Sequence, residues 1–356
     1  MSTCICMVYF EHTLSKGGYF LEVKVFALQI MKTHLRRLLL FSCILCSLTG
    51  CATATRDSTA EPLASAVSYN NSTEAKLVGP VSNAFSDYWY KGKAELTSYT
   101  LEQARYGEIH QGNAVLIFVT EDFSRSKQVK LDNPAQAGDD SVNVIKLNLT
   151  KNFNTGIYPY SMMTSVFTPV QRQTNPQTLK ITTSSQEWCG HTFTQLNLNA
   201  QSYRIQQNSY FESDGDKTLS LDGAIPEDEL WTTIRLNPED LPTGKLQLIP
   251  GTMFQRLRHL SWTTQSATAQ LQPVAENPQL MSYTLTYPKL KRTLTIEFNK
   301  AFPHEIESWE ETYQSGWGQG AKSLTTKAKR NKRMLLDYWT KNSVVDEVLY
   351  KELLDF

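Results

Sequence analysis

From Gly92 to Phe298 the chain is cut into short β-forming runs at hairpin spacing, and this pattern limits its fold more than any other feature. Ala94 to Gln103 and Ala114 to Thr120 flank a turn-like Tyr-Gly-Glu-Ile-His-Gln-Gly stretch. Val144 to Leu149, Met162 to Phe167, Leu179 to Thr183, His191 to Leu198 and Ser202 to Phe211 continue the series. Asp214-Gly215-Asp216 and Asp222-Gly223 supply turn residues between runs. Leu246 to Ile249, Ala267 to Gln272, Met281 to Tyr287 and Arg292 to Phe298 resume it. No βαβ alternation supports a parallel sheet, and no fixed-period repeat is visible. The expected fold is mainly β: a large curved antiparallel sheet or incomplete barrel with a few short helices.

Three segments read as helices. Val81, Phe85, Tyr88 and Trp89 share helical spacing, with Ser82 and Asn83 near the start. Pro226-Glu227-Asp228-Glu229-Leu230-Trp231 places proline early and carboxylates in the first turn, where they suit the positive end of the helix dipole; this helix should end before Pro238. Val344 to Leu354 closes the chain as a third. Ile306, Trp309 and Tyr313 fit a helical stripe or a long strand, and Leu324 to Trp339 is equally ambiguous. The β-rich domain is expected over residues 81–356, with a division into two lobes near 225–245.

The N-terminal part reads as processing sequence. Lys32, His34, Arg36 and Arg37 form a basic head, Leu38 to Leu48 an apolar middle about half as long as a membrane-spanning helix, and Leu48-Thr49-Gly50-Cys51 closes it as a bacterial lipobox. Residues 31–50 are therefore expected to be a lipoprotein signal peptide, and residues 1–30 an extension upstream of the true start. Cys51 is the expected site of lipid attachment, and several acyl chains together give a lasting membrane anchor. Ala52, in place of aspartate, favours the outer membrane by analogy with sorting signals. Residues 51–80 are rich in Thr, Ser, Ala and Asn without apolar periodicity and are expected to form a flexible, periplasm-facing tether.

Cleavage changes the accounting. Five bases and two acids fall in the first 50 residues, so 30 and 33 of the 35 of each kind remain, a net charge of −3 that argues against nucleic-acid binding. Cys4, Cys6, Cys43 and Cys46 are removed and Cys51 is acylated, which leaves Cys189 as the free thiol and permits no intrachain disulfide.

Candidate chemistry centres on Glu187, Trp188, Cys189 and His191. Trp188-Cys189-Gly190-His191 matches the disulfide-isomerase string, but Thr192 stands where the second cysteine belongs. The polar run before it and the β-like run after it offer no helix N-terminus to lower a thiol pKa. The segment therefore reads as a strand start, with Trp188 packed on the sheet and Cys189 acting as a small apolar residue. Cys189 and His191 could share a strand face as zinc ligands, with His110, His259 or His304 completing the site, but no spacing supports it and no metal or cofactor is expected. Glu305, Glu307, Glu310 and Glu311 read as a solvated acidic face; Lys327, Lys329, Arg330, Lys332 and Arg333 read as a solvated strand face, with a meeting across a hairpin or a contact with anionic lipid as the alternatives. No phosphate-binding loop or nucleophile elbow occurs.

Tyr88-Trp89-Tyr90-Lys91-Gly92-Lys93-Ala94-Glu95, Val115 to Glu121 and Gln186 to His191 resemble a family of Gram-negative envelope lipoproteins whose motifs carry no assigned chemistry. Some members bear the label septum formation inhibitor, which belongs to a pyrophosphatase family with a Ser-Pro-Arg-Arg motif; that motif is missing here. The expectation is a membrane-anchored, non-enzymatic lipoprotein that binds a lipid or other hydrophobic ligand. The alternative is a structural or assembly subunit that docks an envelope protein partner; a hydrolase ranks behind both.

Overall fold

The computed structural model describes residues 82–354; the extension, the signal, Cys51 and the tether lie outside them. The described residues start with α1 (Asn83–Trp89), whose first turn is capped by Ser82 Oγ accepting from the Phe85 N–H at 3.2 Å. It then runs through a meander of β1 (Ala94–Arg105), β2 (Glu108–Ser124), β3 (Ser141–Thr155), β4 (Tyr158–Pro169), β5 (Lys180–Glu187), β6 (Gly190–Asn199), β7 (Ser202–Ser209) and β8 (Lys217–Asp222). A short strand, β9 (Ile225–Pro226), leads into α2 (Glu227–Leu236), and β10 (Gly244–Ile249) into α3 (Thr252–Arg258). A second meander follows: β11 (Gln265–Val274), β12 (Asn277–Tyr287), β13 (Arg292–Asn299), β14 (Ile306–Ser315) and β15 (Lys322–Leu336). Helix α4 (Glu347–Leu354) ends the described residues.

All fifteen strands form one sheet, ordered β8 to β1 and then β15 back to β9. Every pairing is antiparallel except β9 with β10. The first and second meanders join where β1 pairs with β15, Ala94 opposite Leu336. The two outermost strands, β8 and β9, are consecutive in the chain, linked through Gly223 and Ala224. Three residue steps span at most ~11 Å, so the sheet has to curl until its edges approach. They do not pair, and the seam stays open.

Strand alternation then decides what faces inward. Tyr99 and Leu101 of β1, Leu116 and Phe118 of β2 and Ile296 and Phe298 of β13 join one large core with Leu230, Trp231 and Ile234 of α2 and Met253 and Leu257 of α3. The two helices fill the concave side. Phe85 and Trp89 of α1 close one end of it, with the Trp89 ring 6.3 Å from that of Phe118. The intervening residues Leu96, Val115 and Val119 face outward, where Leu353 of α4 covers them.

Several expectations are corrected. The turn after β1 is only Tyr106-Gly107, both with positive φ, and β2 begins at Glu108, because the ladder continues to the pair Arg105 and Glu108. Residues 306–315 and 322–336, open between helix and strand in the sequence, are strands. Helix α3 was not anticipated. Glu311 does not lie on a solvated face: it is 7 % exposed and bonded to Arg292, whereas Glu305, Glu307 and Glu310 do meet Arg330, Arg333 and Lys327 across the β14–β15 hairpin.

Candidate functional site

Because the strands alternate in direction, α1 and the chain end after β15 lie at one end of the curl, and the β1–β2, β3–β4, β5–β6, β7–β8 and β14–β15 turns gather at the other. That second end, the mouth, holds the candidate residues. Trp188 and Cys189 form the β5–β6 turn between the paired Glu187 and Gly190. Trp188 is therefore 67 % exposed and Cys189 is exposed, which corrects the expectation of two packed residues. Gly190 has a structural reason of its own: a Cβ there would meet the Tyr210 ring at 2.3 Å. His191 is exposed on β6, turned from the bonded group formed by the others.

Glu187 is the organising residue. It points inward, 7 % exposed, accepts from Tyr158 Oη at 2.8 Å and pairs with Arg256 of α3. Tyr158 Oη in turn accepts the Cys189 N–H at 2.9 Å. Burial, then the side-chain bonds to Cys189 and Glu187, push the Tyr158 hydroxyl pKa up, against the Cys189 N–H, which lowers it. Arg256 Nε donates to Thr192 Oγ1 at 3.0 Å, its Nη1 lies 3.2 Å from His259 Nε2, and His259 Nδ1 lies 2.9 Å from Asp214 Oδ2. A polar relay thus runs from the β5–β6 turn through α3 to the β7–β8 turn. In nucleophilic catalysis an Asp-oriented imidazole would present its other nitrogen to a hydroxyl or thiol. Here that nitrogen faces the Arg256 guanidinium and no hydroxyl or thiol.

Aromatic rings cap this relay. Tyr106 lies 5.7 Å from Trp317, Trp317 6.4 Å from His259, His259 5.0 Å from Phe211, and Phe211 5.4 Å from Tyr210. On the other side Tyr160 contacts Tyr158 at 5.3 Å and Tyr158 contacts Trp188 at 6.3 Å, while the Tyr106 and Tyr160 hydroxyls are 2.6 Å apart. Tyr106, Trp188, Tyr210 and Trp317 stand 47 to 67 % exposed, so the mouth carries a collar of half-open rings. An open groove of about 440 Å³ runs between Tyr106, Glu108, His110, Tyr158 and Cys189.

A second polar group lies deep in the curl. The first-turn acids of α2 are buried and each has its own partner. Glu227 takes both Arg292 Nη atoms and the Tyr287 hydroxyl, the last at 2.6 Å; Glu229 accepts from Arg172 at 2.6 Å and the Thr178 N–H at 2.8 Å. Asp228 accepts the Thr252 N–H at 3.0 Å, at the start of α3. Arg292 also donates to Glu311 at 2.7 Å. Lys151 of β3, 6 % exposed, reaches only Gln103 Oε1 at 3.5 Å, and burial pushes its ammonium pKa down. Burial, reinforced by Glu227, pushes the Asp228 pKa up to about 7. Lys151, Glu227, Asp228, Arg292 and Glu311 border a cavity of about 40 Å³, and Thr192, Asp214, Arg256 and His259 border one of about 20 Å³. Such spaces admit a few waters, not an acyl chain.

Among the described residues no cluster of His, Cys, Asp and Glu side chains is placed to hold a metal ion. His110 and His304 each approach a backbone carbonyl instead, Arg105 O at 3.2 Å and Asn299 O at 3.3 Å. No family model, curated protein or solved structure matches the chain. No helix among the described residues is long and apolar enough to cross a membrane.

Proposed function

We propose that this chain is a Gram-negative envelope lipoprotein, anchored in the outer membrane through acylated Cys51, whose folded domain binds a lipid or other amphiphile at the mouth. The observation that carries this reading is the collar: half-exposed rings of Tyr106, Trp188, Tyr210 and Trp317 at the tips of four different hairpins, with an open groove beside them. Exposed apolar groups gathered in this way mark interaction surfaces more often than scattered single ones do. The packed interior directs the ligand to this rim.

The collar also favours a second reading, an assembly subunit that seats a protein partner on the same rings. Native mass spectrometry of the protein extracted from its own membrane separates the two. The expected result is an acylated N-terminal cysteine and a co-purifying lipid, lost from a Trp188→Ala/Trp317→Ala variant that retains its melting profile. Recovery of a stoichiometric protein partner without lipid would replace the first reading by the second.

A further inference from the structure

Seven arginines among the described residues are buried or partly buried: Arg105, Arg172, Arg235, Arg256, Arg258, Arg292 and Arg330. Five are paired with carboxylates: Arg172 with Glu229, Arg235 with Glu95, Arg256 with Glu187, Arg292 with Glu227 and Glu311, and Arg330 with Glu305 and Glu307. Arg105 and Arg258 are the exceptions. Arg105 is 4 % exposed, yet its guanidinium meets only the Leu257 carbonyl and the hydroxyls of Tyr106 and Tyr160, at 3.3 and 3.4 Å, and its Nε has no partner. Arg258 donates only to the Gly316 carbonyl, at 3.1 Å.

The two cations are neighbours. The half-exposed Trp317 ring lies 5.3 Å from the Arg105 guanidinium carbon and 5.4 Å from that of Arg258, and Tyr106 covers Arg105 at 4.3 Å. Burial, together with the charge of Arg105, lowers the Arg258 pKa. Ring faces and carbonyls compensate a buried charge only partly, whereas a carboxylate or phosphate matches the guanidinium fork with two charge-assisted bonds. A chain that gives an acid to its other buried arginines leaves these two without one, at the mouth, beneath rings that are open to solvent.

We propose that Arg105 and Arg258 form a receptor for an oxyanion, with Trp317 and Tyr106 holding the apolar body attached to it. The chemistry is that of a phosphate on a lipid glycerol, or of a free phosphate. The inference rests on the collar as the binding surface and adds the charge of the ligand.

Isothermal titration of the folded mature chain, with Cys51 replaced to avoid acylation, tests it with three probes: dihexanoyl phosphatidic acid below its micellar concentration, dihexanoylglycerol and inorganic phosphate. The expected result is saturable binding of the phosphatidic acid, at least tenfold weaker in Arg258→Ala and weakened by salt, with little binding of dihexanoylglycerol. Arg258 is partly exposed and makes one backbone bond, so the variant is expected to keep its fold, which circular dichroism checks. Binding of inorganic phosphate as tight as that of the phosphatidic acid supports the oxyanion site and assigns it a free ion. Equal binding of phosphatidic acid and dihexanoylglycerol, indifferent to Arg258→Ala, overturns the oxyanion assignment and leaves the collar reading intact. Binding of none of the three overturns this assignment and counts against the collar reading too.

Discussion

Replacing Arg292 by alanine will destabilise the domain by about 3–5 kcal/mol, the range found when one member of a buried ion pair is removed. Arg292 holds three elements together: it bonds Glu227 of α2 through both Nη atoms and Glu311 of β14 through Nε, from its own place on β13. All three side chains are at most 9 % exposed. Its guanidinium also lies 4.2 Å over the Phe254 ring of α3 and 5.1 Å from that of Tyr287. Removing it strands two carboxylates where water cannot reach them easily, and each must take up a proton or draw in solvent. Urea unfolding of the two proteins at neutral pH measures the difference as a shift in midpoint at constant slope. A loss below about 1 kcal/mol would mean that the layer is wet and loosely held, in the range of surface pairs.

Asp228→Asn will stabilise the protein above neutral pH and leave it almost unchanged near pH 4. The Asp228 pKa is raised from 3.8 to about 7 by burial and by its neighbour Glu227. Between those values the folded chain keeps a proton that the unfolded chain has released. Stability therefore falls as pH rises across that window. The asparagine loses this slope while its amide can still accept the Thr252 N–H and answer the Thr252 hydroxyl. Three pKa units correspond to ~4 kcal/mol, so the two stability curves should separate by a few kcal/mol at pH 8 and converge at pH 4. Glu95 and Glu227, each held below the usual carboxylate range against their burial by Arg235 and Arg292 respectively, act the other way. Their contribution is present above about pH 4.5 and is lost on further acidification, in both proteins alike. Parallel curves from pH 4 to 8 would show Asp228 to be ionised throughout.

The meander was readable because two-residue periodicity and turn residues are local signals, and most runs from Ala94 to Phe298 became strands. The curl was readable only as a possibility. Its cause, the adjacency of the edge strands β8 and β9 in the chain, follows from a topology that no short window displays. Helix α3 escaped because its start is held by Asp228 from 24 residues upstream. The α2 acids were legible as helix-start residues, but their burial was not, since Arg292 lies 65 residues from Glu227. At the mouth, Glu187, Trp188 and Cys189 were found as a sequence string, and Glu187 proved to anchor the relay. Arg256, His259 and Asp214 could not be attached to it, being 69 residues from Glu187 in one case and 45 residues from each other in the next. Trp188 was misplaced because apolar character alone does not distinguish a core ring from one at a turn.

Seven tryptophans report directly on whether the proposed ligand binds at the mouth of a filled curl. Trp188 and Trp317 stand on the collar, 67 and 50 % exposed, whereas Trp231 and Trp309 line the inner cavity. Indole N–H signals, assigned by single Trp→Phe variants, can be followed while dihexanoyl phosphatidic acid is added. The expected result is saturable shifts of the Trp188 and Trp317 signals with those of Trp231 and Trp309 unmoved. Shifts of Trp231 and Trp309 with a silent collar would place the ligand inside the curl and contradict binding at the mouth.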